Sequence, residues 1–305
     1  MDTSTLIKNL KRPTSKVDMV LDTDTFNEID DQFAVAYALS NSDRLNIKAI
    51  YAAPFLNDKS TDPKDGLEKS YAEIIKLLSL MDRKDMEQHV YKGSEQFLTN
   101  EKTPVVSPAA SHLAKLAMQY TPENPLYVVA IGAITNVASA ILINPEITEN
   151  IVIIWLGGHA FHWHDTKEFN LYQDVAAARI IFECGAPVVQ FPCMGVVSAF
   201  TVSEADLQKW LTGKNKVCEY LAENTIGEAS SYASGKPWTR VIWDVTAVAW
   251  LLEGNFFEYR LENSPIPEYD GLYAFDKNRH FIQYIYHINR DALVEDLFWK
   301  LANPQ

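Results

Sequence analysis

Short apolar runs alternate with stretches of helical periodicity along the first two thirds of the chain. The runs at 17–21, 47–53, 126–131, 151–156 and 188–191 have the length and composition of buried strands. Helical patterns lie between them, at about 31–40, 67–80, 136–142 and 175–184. Because this alternation is typical of parallel strands joined by crossover helices, we predict an α/β fold with an open, mostly parallel, Rossmann-like sheet flanked by helices.

The pattern changes in the last third of the chain. Residues 203–230 and 245–252 are mostly helical in pattern, aromatic β-like runs follow, and a last helix is predicted near 291–301. The sequence has no Ser/Gly/Pro-rich linker, no block of like charge and no repeat of fixed period. We therefore predict a single domain over 1–305, with a core at about 17–303 and extra helices in the C-terminal half.

Composition narrows the range of partners. The 305 residues are 47% hydrophobic, which is enough for a large core, and the formal net charge is −13. An acidic protein of this kind is a poor match for a nucleic-acid backbone or an anionic membrane. A small neutral substrate or a bound cation fits better.

The cysteines and the N-terminus indicate an intracellular protein. Cys184, Cys193 and Cys218 form no CxxC pair, so neither a zinc site nor a disulfide framework is predicted, and we expect reduced, buried thiols. The first 16 residues lack the apolar stretch of a signal peptide, and no segment approaches the roughly 20 apolar residues of a membrane span. We predict a cytoplasmic, soluble protein.

An unusual cluster of acids follows the first predicted strand. Asp22, Asp24, Asp30 and Asp31 form the pattern D-T-D-x5-D-D. Carboxylates this close repel one another unless a cation or a substrate hydroxyl offsets the repulsion, and calcium takes six to eight oxygen ligands. Helix capping by Asp30 and Asp31 is the alternative for that pair, but it leaves Asp22 and Asp24 unexplained.

Further polar residues and glycines follow other predicted strands. Asn57, Thr135 with Asn136, and the pair Gly157 and Gly158 all have this position. Ligands of open parallel sheets bind outside the carboxyl ends of the strands. We therefore expect one crevice to collect these residues and the aspartate cluster.

The stretch VLDTDTFNEIDDQFAVAYAL resembles the N-terminal signature of the nucleoside hydrolase family, which comprises inosine-uridine preferring and related N-ribohydrolases. Later segments agree in order and spacing. They are Asn57 in AIYAAPFLN, GAITNVA at 132–138, the pair Gly157 and Gly158, EFN at 168–170, Asp174, and Asp244 in RVIWDVTAVAW. The resemblance covers about residues 17 to 300. It implies an N-glycosidase that releases base and ribose from ribonucleosides with the help of Ca²⁺, and a homodimer or homotetramer.

The family also implies a metal site. By resemblance, Asp24 and Asp31 chelate calcium, Thr135 contributes its main-chain carbonyl, and Asp244 completes the ligand set. Asp24 also corresponds to the proposed general base that deprotonates the attacking water. Asp22 is expected to support these ligands without binding the metal itself.

A second set of residues corresponds to substrate contacts. Asp30, Asn57 and Asn170 would hold the ribose 2′ and 3′ hydroxyls together with the metal, and Glu168 would reach the 5′ hydroxyl. His162 or His164 falls roughly where the family has an asparagine near the 5′ hydroxyl. This arrangement suits an oxocarbenium-like transition state attacked directly by water.

The leaving group is where the sequence departs from the family. A histidine usually precedes the late aspartate, but here that position is Trp243, and the family's mid-chain histidine is also absent. Trp243, Trp238 or Tyr232 could stack on the base, or Trp243 could only pack the cleft wall. The remaining alternative is a local acid from one of three loop histidines, His159, His162 and His164.

Two other functions are compatible with parts of the sequence. The opening could be the DxDx[TV] signature of haloacid-dehalogenase-like phosphatases, although Phe26 occupies the fifth position. A nucleoside-hydrolase-like protein that has lost hydrolysis and only binds a ligand is the third hypothesis. No pattern near 80–110 or 225–243 predicts a base preference.

Overall fold

The computed structural model describes residues 1–304. Within them, eight strands form one sheet in the order β3-β2-β1-β4-β5-β6-β12-β9. Their bounds are β1 Val17–Thr23, β2 Leu45–Ala52, β3 Val90–Lys92, β4 Leu126–Ala130, β5 Ile151–Leu156, β6 Val188–Phe191, β9 Phe257–Asn263 and β12 Phe281–Ile288. All neighbours pair in parallel except β9, which runs antiparallel to β12 at one edge.

Two small antiparallel pairs complete the strands. They are β7 Thr201–Ser203 with β8 Thr239–Val241, and β10 Pro265–Pro267 with β11 Tyr273–Phe275. The helices are α1 Thr3–Asn9, α2 Ile29–Leu39, α3 Pro63–Leu80, α4 Pro108–Leu116, α5 Thr135–Ile143, α6 Phe169–Gln173, α7 Val175–Glu183, α8 Glu204–Trp210, α9 Lys216–Ala233, α10 Val245–Ala249 and α11 Arg290–Ala302.

The large sheet is buried on both faces. Met19 and Leu21 of β1 belong to one apolar cluster with α2, α9 and α10, whereas Val20 belongs to a second cluster with α4, α5 and α7. Strands covered on both faces are apolar at nearly every position, and this explains the continuous apolar runs in the sequence. The fold class predicted from those runs is confirmed.

Some local features differ from the prediction. Helix α10 ends at Ala249 rather than near residue 252, and α4, β3 and α1 were not predicted. Helix α4 has a recognisable start, because Ser107 accepts a hydrogen bond from the Ala110 N–H and Pro108 occupies the first turn. Cys193 and Cys218 are buried free thiols as expected, but Cys184 is only half-buried.

The carboxyl ends of the central strands meet on one side of the molecule. Asp24 follows β1, Ile131 follows β4, Gly157 follows β5 and Cys193 lies just beyond β6. Since the strands are parallel, these loops share one edge of the sheet, where the start of α2 also lies. Among the described residues, no helix combines the length and apolar character that crossing a membrane requires.

Candidate active site

A cavity of about 210 Å³ opens at this edge of the sheet. Its walls come from segments 27–31, 168–170, 193–194 and 243–244, together with Ile131, Leu156 and His159. The predicted crevice therefore exists. It contains most of the residues singled out in the sequence and excludes a few of them.

Carboxylates dominate the floor of the cavity. Carboxyl oxygens of Asp30, Asp31 and Asp244 lie within 4.8 Å of one another, and all three side chains are buried. Asp24 is fully buried next to them, and both of its carboxyl oxygens lack a hydrogen-bond partner within residues 1–304, as does Oδ1 of Asp30. Buried polar atoms without hydrogen-bond partners are rare in proteins. The unpartnered oxygens of Asp24 and Asp30 therefore indicate that a ligand binds to this carboxylate cluster.

The cluster is electrostatically unfavourable in the protein alone. Burial raises the pKa of Asp24, Asp31 and Asp244 well above the ordinary range, and repulsion between the carboxylates raises the pKa of each further. Burial also raises the pKa of Asp30, although the nearby Arg240 guanidinium opposes this. A cation bound among these groups would remove the repulsion.

Local structure explains how the acids converge. The Thr23 hydroxyl at the end of β1 donates to Asp31 Oδ1 at 2.6 Å and so links the strand to the first turn of α2. The N-cap of α2 is Glu28, and it makes no capping hydrogen bond through its side chain. The capping hypothesis for Asp30 and Asp31 is therefore not supported, because both face the cavity from inside the helix.

The donor set suits a hard cation. Asp24, Asp31 and Asp244 offer only oxygen atoms, all three side chains are buried, and both oxygens of Asp24 lack a partner among the described residues. Buried carboxylate oxygens of this kind are suitable ligands for a hard divalent ion. Cys193 and Met194 are the soft ligands among the described cavity residues, and Cys193 lies beside Glu168. This chemistry fits calcium better than zinc.

Thr135 is not brought to the cavity. It is the first residue of α5, and its hydroxyl donates to Asp174 Oδ2 at 2.6 Å. Ile131, four residues earlier, lines the cavity instead. Its neighbour Gly132 lies against Asp24, since a Cβ added to Gly132 would be 2.9 Å from Asp24 Oδ1. The main-chain oxygen nearest to the cluster is therefore expected at Ile131.

Asn57 also lies behind the cavity wall. Its Nδ2 donates to Asn27 Oδ1 at 2.6 Å, while its own Oδ1 accepts from the Lys59 N–H at 2.9 Å. Asn27 lines the cavity. Because the Lys59 backbone fixes the orientation of Asn57, and Asn57 fixes that of Asn27, the amide NH₂ group of Asn27 remains available to a ligand.

Glu168 and Asn170 lie where the sequence predicts, and both line the cavity. Glu168 caps α6 by accepting from the N–H groups of Asn170 and Leu171, and it also accepts from the Gly158 N–H at 2.8 Å. Burial raises the pKa of Glu168, and these backbone donors oppose the rise. Asn170 Nδ2 donates to the carbonyls of Ile131 and Leu156, both at 3.1 Å.

Trp243 lines the cavity beside Asp244. The histidine of the loop that lines the cavity is not His162, which the sequence predicts as a substrate contact. His162 is exposed and borders a separate surface hollow with Tyr284 and Tyr286, whereas His159 lines the cavity itself.

Sequence reasoning missed Asn27 and Ile131 as cavity residues. Asn27 stands inside the acidic motif, three residues after Asp24, so its position was a usable signal. Ile131 offers only its main-chain carbonyl, and no side-chain pattern reports on that atom.

Asp22 provides a test of the electrostatics. Burial raises its pKa to about 7, although Asn136 Nδ2 donates to its Oδ1 at 2.8 Å. Without a cation, the folded protein thus binds more protons than the unfolded chain between about pH 4 and 7. The free energy of unfolding should fall as the pH rises through this window, and Asp22 alone should contribute on the order of 4 kcal/mol.

Thermal unfolding of chelator-treated protein across this pH range measures the effect. Asp22→Asn should flatten the slope, whereas Asp270→Asn, at an exposed turn, should not change it. If the stability of Asp22→Asn depended on pH as strongly as that of the wild type, the raised pKa of Asp22 would be contradicted.

Comparison with known proteins places this fold in a class. The fold is shared with a plant nucleoside hydrolase, with a TM-score of 0.75, 18% identity and coverage of 94% of this chain and 99% of the other. It is also shared with a purine-preferring ribonucleoside hydrolase from Gardnerella vaginalis, with a TM-score of 0.72, 19% identity and coverage of 93% and 98%. The architecture is thus that of the nucleoside hydrolases.

The sequence comparisons give the family. A model of the family described as inosine-uridine preferring nucleoside hydrolase matches residues 19–292. A pyrimidine-specific ribonucleoside hydrolase, RihA of Salmonella paratyphi A, is 26% identical over 254 residues, which are 75% of this chain and 78% of RihA. The chain belongs to the inosine-uridine preferring nucleoside hydrolase family and is a hydrolase that acts on N-glycosidic bonds. This membership favours the nucleoside hydrolase interpretation over the phosphatase interpretation.

Proposed function

We propose that the protein hydrolyses ribonucleosides to free base and ribose, with Ca²⁺ bound by Asp24, Asp31, Asp244 and the main-chain carbonyl of Ile131. The observation that carries this proposal is the buried carboxylate cluster, in which both oxygens of Asp24 lack a partner within the described chain. Ile131 replaces Thr135 in the ligand set because Ile131 lines the cavity, whereas Thr135 does not and, as the first residue of α5, directs its main-chain carbonyl along the helix.

Asp24 is the proposed base. Neither of its oxygens accepts from an N–H or hydroxyl group within residues 1–304, so one oxygen can bind the ion while the other accepts a proton from water. A bound Ca²⁺ would supply positive charge that lowers the pKa of a water and orients the ribose diol. The carboxylates around the anomeric carbon would then stabilise the positive charge that develops on the sugar.

Sugar recognition is proposed for three cavity residues. Asp30 has one carboxyl oxygen without a partner among the described residues, so it can accept from a ribose hydroxyl. Asn170 donates both amide hydrogens to main-chain carbonyls, which leaves its oxygen to accept from the diol. Glu168 is proposed to accept from the 5′ hydroxyl. Asn57 has no direct contact in this scheme and acts by orienting Asn27.

The base is proposed to lie against Trp243 and Asn27. An indole face suits stacking on a nucleobase, and the free amide NH₂ of Asn27 suits a carbonyl oxygen or ring nitrogen. The names of the relatives span pyrimidine-specific and purine-preferring enzymes, so they do not select a base for this chain. His162 is not retained as a substrate contact, since it lies outside the cavity.

A substrate panel tests the proposal. Purified protein with added Ca²⁺ should release reducing sugar from at least one of uridine, cytidine, inosine, adenosine and guanosine, in equal amount to free base. Release of base without ribose, or binding of nucleosides without any turnover, would contradict hydrolysis. The second result would favour the ligand-binding hypothesis.

The homodimer or homotetramer and the cytoplasmic location remain part of the proposal by family analogy. Light scattering coupled to size exclusion measures the first, and cell fractionation measures the second. A strictly monomeric, active protein would show that the site is complete within one chain.

A further inference from the structure

His159 lines the cavity without an assigned role. It belongs to the loop after β5, which also carries Glu168, and its ring is half-buried. Of the three histidines in this loop, it is the one that reaches the cavity, so its hydrogen-bonding state matters for whatever binds there.

The ring of His159 is held in a defined orientation. The Met194 backbone N–H donates to His159 Nδ1 at 3.2 Å, and the ring packs edge-on against Trp163 with centroids 6.2 Å apart. Burial lowers the pKa of His159, which favours the neutral ring. A neutral imidazole that accepts at Nδ1 carries its proton on Nε2. Within residues 1–304, Nε2 has no hydrogen-bond partner, so it is a free donor.

Glu168, which also lines the cavity, is a hydrogen-bond acceptor. Glu168 receives the N–H groups of Gly158, Asn170 and Leu171, at 2.8 to 2.9 Å. A carboxylate has about four acceptor positions, and the Cys193 thiol donates to the fourth. Because a thiol is a weak donor, a ligand hydroxyl can take its place. Glu168 is bound to the N–H of Gly158, which directly precedes His159, and both Glu168 and His159 line the same cavity.

A hydroxyl group is the ligand that satisfies both partners, because it donates one hydrogen and accepts another. We propose that His159 Nε2–H donates to the 5′ hydroxyl of the nucleoside while this hydroxyl donates to Glu168. The inference rests on the proposed function and makes His159 a specificity-determining residue for a free 5′ hydroxyl. A 5′-phosphate would meet the Glu168 carboxylate and be rejected by charge.

The experiment compares uridine and inosine with their 5′-deoxy analogues in four proteins: wild type, His159→Phe, His159→Gln and the surface control His287→Phe. The wild type should prefer the free hydroxyl at least tenfold in kcat/KM, as expected when buried polar groups are left unpaired. His159→Phe should lose about tenfold on uridine or inosine, with little change on the 5′-deoxy analogues. His159→Gln keeps an N–H donor and should restore part of the preference, whereas His287→Phe should match the wild type.

Other outcomes overturn the inference. An equal loss on parent and 5′-deoxy substrates would assign His159 a structural role. A loss on nucleosides that disappears with p-nitrophenyl riboside, whose leaving group needs no proton, would assign it instead to protonation of the base. Wild-type hydrolysis without a 5′-hydroxyl preference would refute this inference alone, and failure of the wild type to hydrolyse any nucleoside would refute the proposed function together with it.

Discussion

Asp24→Asn should lower kcat by about 10³-fold, since it removes the proposed general base. The folded structure should persist, because the substitution removes a buried charge that repels Asp31 and is isosteric. In chelator, the variant should therefore unfold at a temperature equal to or above that of the wild type. Steady-state release of ribose and thermal unfolding followed by circular dichroism measure the two effects.

Asp18→Asn is the matched control for this variant. Asp18 lies on the same strand but at its other end, where Tyr120 Oη and Asn46 Nδ2 donate to its carboxylate. Its substitution should leave kcat within twofold of the wild type. If Asp24→Asn kept more than a tenth of the activity, another group would have to accept the proton.

Removal of divalent ions should reduce activity more than 100-fold, and added Ca²⁺ should restore it. Calcium should also stabilise the fold, because it binds the folded carboxylate cluster and not the dispersed aspartates of the unfolded chain. At a free concentration 100 times the Kd, the expected gain is about 2.7 kcal/mol in the free energy of unfolding. Differential scanning calorimetry with and without Ca²⁺ measures the gain.

The double variant Asp31→Asn/Asp244→Asn should show neither the activity nor the calcium-dependent rise in Tm. The double variant Asp276→Asn/Asp291→Asn changes two exposed carboxylates and should behave as the wild type in both assays. A stabilising effect of Zn²⁺ without one of Ca²⁺ would argue against the proposed ion.

The sheet was predictable because its strands are buried on both faces. The run Ile151–Leu156 is apolar at every position. Such a run is typical of a strand that is covered on both faces of the sheet. Strand β3 could not be predicted from the sequence, because it has only three residues and one buried side chain. Its pairing with β2 also depends on the folded sheet.

The acidic part of the site was predictable for a related reason. Four aspartates at the end of one strand conflict with ordinary packing, and such a conflict points to function. Contacts that depend on loop paths were less accessible. His159 and His162 differ by three positions in a loop with no regular periodicity, and only the folded loop decides which ring reaches the cavity.

Because the buried aspartates repel one another, a change that raises the thermal stability of the ion-free protein is expected to lower its affinity for the ion. Any substitution that relieves Asp24, Asp31 or Asp244 should make the ion-free protein more robust and at the same time weaken its hold on the ion. A directed-evolution campaign that selects only for survival of heating in chelator would therefore enrich inactive variants. A screen for a hardier enzyme needs calcium in the heating step, so that selection acts on the rest of the molecule.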